Sequence, residues 1–331
     1  MMCVITIFKI ISLPFCGLDF FYVTDKLKLY FTTYKIFKEF SMSYVLLIMV
    51  VIFTSLQNVF VKQFEKKCNG GEWLFSATTV FFAEILFVIS FLITNKNGFD
   101  ISKETLIFSV LFSLFYSVGM IGQVFAIKNG SMALTSLMIS FSLLIPTFFG
   151  IIVLNEEAGV LSYTGLVFLL ISLYLVNYAK EKDASNQKIT FKWIIFVLLA
   201  SIGNGGCAVV QRTQQIYQNG HFKDEFMIIA LSVVLIELLT ISLIKEKNHI
   251  KTLKIALLPA FSRGVSNGLV NSLCLTLSLM MPASVMYPVS SGGGIALTAF
   301  IAVAFYREKL SSKQLIGLVF GIVSVVLLSI I

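Results

Sequence analysis

From Met42 onward, stretches of about 20 apolar residues follow one another in series, parted only by short charged or turn-forming breaks. That seriality restricts the fold more than any motif does. A helix needs ~20 mostly apolar residues to cross ~30 Å of hydrocarbon, and only a continuous helix pairs every backbone N–H and C=O within one lipid-facing segment. With 57% hydrophobic and 13% charged residues and a mean hydropathy of +0.92, a water-soluble globule is excluded. Spans are expected at 43–61, 76–94, 105–127, 131–154, 160–178, 191–213, 226–244, 254–280, 282–305 and 312–331. The fold class is therefore an all-α polytopic membrane protein with ten transmembrane helices, and Asn129-Gly130 and Met281-Pro282 join neighbouring spans as tight hairpins.

The net charge of +8 does not point to nucleic acid, because the basic residues fall in short clusters between apolar runs, as at Lys66-Lys67 and Lys180-Glu181-Lys182. The five cysteines (Cys3, Cys16, Cys68, Cys207, Cys274) are scattered with no C-x-x-C pair, and His221 and His249 stand far apart. Neither a disulfide framework, a metal site nor a cofactor is expected. Residues 1–42 break the rhythm: Lys9 and Pro14 interrupt the first apolar piece, and Lys26, Lys28, Lys35 and Lys38 stud the rest. They read as an N-terminal extension, either an interfacial helix or an overlong start with the working chain beginning at Met42, and the second is preferred.

The chain repeats itself. Glu156 to Leu175 and Glu308 to Leu327 match at a constant offset of 152 residues, Gly165-Leu166-Val167-Phe168 recurring as Gly317-Leu318-Val319-Phe320 and Ser172 meeting Ser324. This gives two five-helix copies, 43–180 and 191–331, joined by a charged linker at 181–190. An odd number of spans per copy inverts the second, an architecture of secondary transporters in which the substrate path runs between the copies.

Pro282-Ala283-Ser284-Val285-Met286-Tyr287-Pro288, then Gly292-Gly293-Gly294, then Tyr306-Arg307-Glu308-Lys309-Leu310, resembles the second repeat of the EamA-type permeases of the drug/metabolite transporter superfamily. The first repeat is similar, from Ser131-Met132-Ala133-Leu134-Thr135-Ser136-Leu137 through Pro146 to Asn155-Glu156-Glu157, so the resemblance covers roughly residues 43–331. It implies a ten-helix permease for small metabolites with both termini cytoplasmic, and it does not name the cargo. Lys and Arg concentrate instead in the odd-numbered loops, which by the positive-inside rule implies the reverse orientation. The lysines before Met42 favour the family orientation, which is adopted.

Polar residues inside the spans are the candidate pathway. Glu84 and Glu237 lie midway along the second and seventh spans, 153 residues apart, and read either as proton-relay acids or as neutral acids bonded to a neighbouring helix. Arg263, Asn267 and Asn271 share one helical stripe. The guanidinium there suits clamping a carboxylate or phosphate, pairing with Glu237, or snorkelling. Asn204, Tyr287 and Ser290 complete the expected path, while Gln57, Asn58, Gln123 and Gln211 read equally as helix-to-helix glue. Pro146 in the fourth span and Pro288 with Gly292, Gly293 and Gly294 in the ninth suit close helix packing with a hinge in each copy.

The expected function is a permease of the plasma membrane that moves a small metabolite, such as an amino acid or related compound, by alternating access, with proton coupling as one option. Its partners are the small-molecule substrate and the bilayer. The rival reading, an integral-membrane enzyme on lipid or polyprenyl substrates, calls for acidic or metal-binding clusters at one interface, yet all five Asp lie outside the expected spans.

Overall fold

The computed structural model describes residues 20–68, 70–94, 98–130, 132–155, 159–178, 190–306 and 312–329. Residues 1–19, most of the linker, Ser131, Glu156, Glu308 and the 307–310 part of the family-like motif lie outside them. Among the described residues the regular structure is entirely helical: α1 (Phe20–Lys67), α2 (Glu72–Thr94), α3 (Lys103–Asn129), α4 (Met132–Ile139), a 3₁₀ turn (Ser140–Leu143), α5 (Leu144–Ile152), α6 (Val160–Tyr178), α7 (Phe191–Tyr217), α8 (Lys223–Lys245), α9 (His249–Leu277), α10 (Ala283–Tyr306) and α11 (Ser312–Ser329). The chain separates into two compact units, Met1–Tyr44 and Val45–Ile331; the first holds the start of α1, and the second holds the rest of α1 and every later helix.

Among the described residues six helical stretches are long and apolar enough to cross a membrane: Met42–Lys67 of α1, then α2, α3, α7, α8 and α10. The protein is thus an all-helical integral membrane protein. The helix α9 is not among the six, since Pro259, Arg263, Asn267 and Asn271 interrupt its apolar run. The expected fourth span is not one continuous helix. Pro146 has no N–H for a carbonyl four residues back and restricts the residue before it, and the backbone just ahead of it tightens into the 3₁₀ turn at Ser140–Leu143. By contrast α10 stays helical through Pro288 and Gly292–Gly294.

Glycines set how closely the helices approach. A Cβ on Gly203 of α7 would stand 2.3 Å from the backbone nitrogen of Gly119 on α3, and one on Gly122 would stand 2.7 Å from the nitrogen of Ala200. The two backbones therefore touch, an arrangement of small residues common where lipid offers no hydrophobic drive to helix association. Likewise Gly264 of α9 lies against the Thr79 carbonyl of α2, with 2.5 Å left for a Cβ. The helices α6 and α11 meet through equivalent residues: Ser172 donates to the Gly317 carbonyl, Ser324 donates to the Gly165 carbonyl at 2.7 Å, and Phe168 stacks on Phe320 at 5.5 Å. Each partner of this contact receives what it gives.

Side chains satisfy backbone groups at several helix ends. Ser102 and Thr190 cap α3 and α7 by accepting from Thr105 N and Trp193 N. The carboxylate of Glu246, just past α8, accepts from Trp73 N at 2.9 Å and Leu74 N at 3.1 Å in the first turn of α2 and from Ser242 Oγ at 2.8 Å. A negative group at a helix N-terminus satisfies orphan donors and opposes the macrodipole. Glu246→Ala is expected to destabilise the protein by ~1–2 kcal/mol, as a lost cap does, with Glu246→Gln losing less; thermal unfolding in detergent measures it, and an unchanged midpoint in Glu246→Ala would count against this role. Arg212 does the converse at the end of α9, donating to the Ser278 and Met281 carbonyls at 3.1 Å each.

Candidate functional site

Inside the second unit lies a cavity of about 210 Å³ whose wall is drawn from α1, α3, the 3₁₀ turn, α5, α7, α9 and α10. Its lining includes six side-chain amides. From the N-terminal half come Thr54, Gln57, Tyr116, Gln123, Ser142 and Pro146, and from the C-terminal half Asn204, Gln211, Arg263, Asn267, Asn271, Tyr287, Ser290 and Ser291. The helix α9 supplies the central stripe because Gly264 and Gly268 press its other side onto α2, turning Arg263, Asn267 and Asn271 inward at one-turn spacing.

These side chains form two connected networks. Asn267 Oδ1 accepts from Tyr116 OH at 2.5 Å and from Asn271 Nδ2 at 3.0 Å, while its Nδ2 donates to Gln57 Oε1 at 3.0 Å. Gln211 Nε2 extends the chain to Asn271 Oδ1 at 2.7 Å. In the second network Arg263 Nη2 donates to Gln123 Oε1 at 3.1 Å, and Gln123 Nε2 donates to Asn58 Oδ1 at 2.8 Å. Asn58 in turn reaches Ser136 and Thr298, so α9, α3, α1, α4 and α10 are tied by one run of bonds. Arg263 itself is 1% exposed, with Nε and Nη1 unpartnered and its guanidinium 5.5 Å from the Phe75 ring centroid. A buried charge without a counter-ion costs several kcal/mol, so this one calls for a reason.

Of the residues singled out from the sequence, the cavity gathers Arg263, Asn267, Asn271, Asn204, Tyr287, Ser290 and Pro146. Tyr287 OH donates to the Ala208 carbonyl at 2.9 Å and Ser290 Oγ to the Tyr287 carbonyl at 3.1 Å, so both are held in place. Glu84 and Glu237 are not part of the lining. Glu84, half-buried on α2, accepts from Ser232 Oγ at 2.6 Å, and Glu237, exposed on α8, accepts from Ser117 Oγ at 2.6 Å. Pro288 and Gly292 are buried in α10 outside the lining; Gly293 packs on Val51 of α1, and Ser55 Oγ donates to the Gly294 carbonyl at 3.2 Å. Tyr116 escaped the sequence reading, although Tyr116, Met120 and Gln123 recur at helical spacing on α3 and all three line the cavity. Among the described residues no group of three or more His, Cys, Asp or Glu is placed to hold a metal ion.

Residues 41–178 match the EamA-like transporter family and residues 225–320 match the Small Multidrug Resistance protein family. A Listeria monocytogenes protein named as a "putative sugar uptake protein" is 25% identical over 252 residues, covering 74% of this chain and 84% of that one. A protein of known crystal structure superposes with a TM-score of 0.62 at 11% identity, covering 86% of this chain and 95% of that one, a likeness of fold alone. The class is that of a membrane transporter. Within it, the chain carries an EamA-like transporter-family domain at residues 41–178.

Proposed function

We propose that the protein is a plasma-membrane carrier built as two inverted five-helix copies, 43–180 and 191–331, that moves a small polar metabolite through the amide-lined cavity by alternating access. The observation that carries this reading is the joint lining of one cavity by both halves, Gln57, Tyr116, Gln123 and Pro146 from the first and Asn204, Arg263, Asn267 and Tyr287 from the second. The reciprocal contact of Ser172 with Gly317 and Ser324 with Gly165 supports the two-fold relation, because a self-complementary interface exchanges equivalent residues. The cargo is of sugar or amino-acid size. The name of the Listeria relative attributes sugar uptake to that protein, and hydroxyl- and amide-bearing walls suit such a molecule. The 3₁₀ turn before Pro146, at the cavity wall, is the proposed hinge of the first copy.

The serine bonds of Glu84 and Glu237 favour the helix-contact reading of both acids over a place in the substrate path. Reconstitution in proteoliposomes tests both parts. Flux of a pooled panel of sugars and amino acids, without chemical change, is expected in the wild type. In Glu84→Gln and Glu237→Gln, which keep an acceptor for the serine, rates within about twofold of wild type are expected, since a helix hydrogen bond in lipid is worth ~0.6 kcal/mol on average. Flux driven by a pH gradient and lost in either variant with folding intact would return the acids to a proton path, and chemical conversion of the panel in detergent would favour an enzyme.

A further inference from the structure

We propose that the group recognised in this cavity is anionic, a carboxylate or a phosphate monoester held by Arg263 on an otherwise hydroxylated metabolite. This rests on the reading of the cavity as the substrate site. Arg263 is buried, lies on the inward stripe of α9 and borders the cavity, yet one of its three guanidinium nitrogens is bonded, Nη2 to Gln123, while Nε and Nη1 have no partner. Among the described residues, none that lines the cavity is Asp or Glu. Glu237, the acid the sequence offered as a mate, is engaged by Ser117. The Phe75 face at 5.5 Å is a weak substitute for a counter-ion.

A charge-assisted, two-oxygen contact is what a guanidinium makes best, and in a desolvated pocket it is worth more than a neutral hydrogen bond. Among the described residues the rest of the wall carries no second cation: Tyr116, Gln57, Asn204, Asn267 and Ser290 present hydroxyl and amide groups suited to the uncharged part of the same molecule. One fixed positive charge surrounded by neutral donors and acceptors describes a site for one anionic group on a polar body. A neutral sugar would leave the charge as it is.

The test measures ligand-induced thermal stabilisation of the detergent-purified full chain with glucose, glucuronate, glucose 6-phosphate and inorganic phosphate, alongside flux of the three sugars into vesicles. Glucuronate or glucose 6-phosphate is expected to half-saturate at least tenfold below glucose, whichever of them is tighter identifying the group, and inorganic phosphate shows whether the sugar body contributes. Arg263→Gln is expected to weaken that binding at least tenfold and Arg263→Lys less, because a lysine keeps the charge and loses the fork. Glucose binding as tightly as both anions, no stabilisation by any anion, or unchanged anion binding in Arg263→Gln would each overturn the proposal. If Arg263→Gln does not fold, the wild-type comparison of glucose with its charged forms decides alone. Anion binding without flux would sink the carrier reading and leave the anion site, whereas glucose flux without anion binding would do the reverse.

Discussion

Gly203→Val is expected to prevent recovery of a folded, monodisperse protein, and Gly203→Ala to lower stability by ~3 kcal/mol or more. Overpacking a core typically costs 1–3 kcal/mol when side chains can shift, but here the obstacle is backbone. The added Cβ would stand 2.3 Å from Gly119 N, 2.4 Å from Gly119 Cα and 2.6 Å from the Phe115 carbonyl. The clash is relieved only by parting α3 from α7, which opens the packing of Phe115 against Gly206 along the same crossing. Gly294→Ala is the matched control: its Cβ would meet nothing nearer than Thr54 Cγ2 at 3.7 Å. Alanine there also gains helix propensity of up to ~1 kcal/mol. The yield of monodisperse Gly203→Val and the thermal unfolding of the two alanine variants in one detergent measure the contrast. Equal midpoints for Gly203→Ala and Gly294→Ala would mean that the α3–α7 crossing is looser than the structure has it.

The second large effect is expected at Asn267, where two substitutions separate architecture from chemistry. Asn267→Leu keeps the volume and removes three hydrogen bonds at once, leaving Tyr116, Gln57 and Asn271 without that partner. At ~0.6 kcal/mol for an average interhelical bond in lipid, and up to 1–3 kcal/mol for each group stranded without water, the loss of stability is ~2–4 kcal/mol. Flux is expected to fall below about a tenth of wild type, because the side chains that would position cargo lose their common anchor. Asn267→Asp keeps the acceptor for Tyr116 and Asn271, obliges the Gln57 amide to turn its Nε2 toward the new oxygen, and sets a carboxylate one helical turn from Arg263, within reach at i+4 spacing. Stability should hold or rise, while binding of glucuronate and glucose 6-phosphate should weaken at least tenfold as the guanidinium acquires an internal counter-ion. If Asn267→Asp bound these anions as wild type does, Arg263 would not be their receptor.

Much of the architecture was legible because the bilayer simplifies the code. Length and hydropathy located helices within a few residues of α2, α3, α6, α7, α8 and α10, since a spanning segment has few alternatives to a helix. The fourth span was less legible: no charged residue breaks it from Met132 to Leu154, so hydropathy reports one segment where Pro146 and Ser140–Leu143 divide it. The expectation that α9 would read as an ordinary span met the opposite difficulty, because the polar stripe that makes it interesting also lowers its hydropathy. At the offset of 152 residues Ser172 aligns with Ser324 and Gly165 with Gly317, and each serine donates to the aligned glycine carbonyl of the other helix.

What the sequence determined by itself is which residues are helical, which are polar in an apolar run, and that Arg263, Asn267 and Asn271 share a stripe. Periodicity of 3.6 and the cost of unpaired backbone in lipid are local rules, and they need no partner helix. Which stripe faces the cavity was decided by tertiary structure. Glu84 and Glu237 occupy matching positions along their spans, yet the packing of α2, α3 and α8 brings them onto Ser232 and Ser117 rather than the cavity. Gln57, Gln123 and Gln211, indistinguishable in sequence from helix-to-helix glue, line the cavity because α1, α3 and α7 present those faces to α9. Among the deciding contacts are those of glycine against backbone, at Gly203 on Gly119 and Gly264 on Thr79, and they fix how α7 turns toward α3 and α9 toward α2, a quantity the residue order along one helix does not contain.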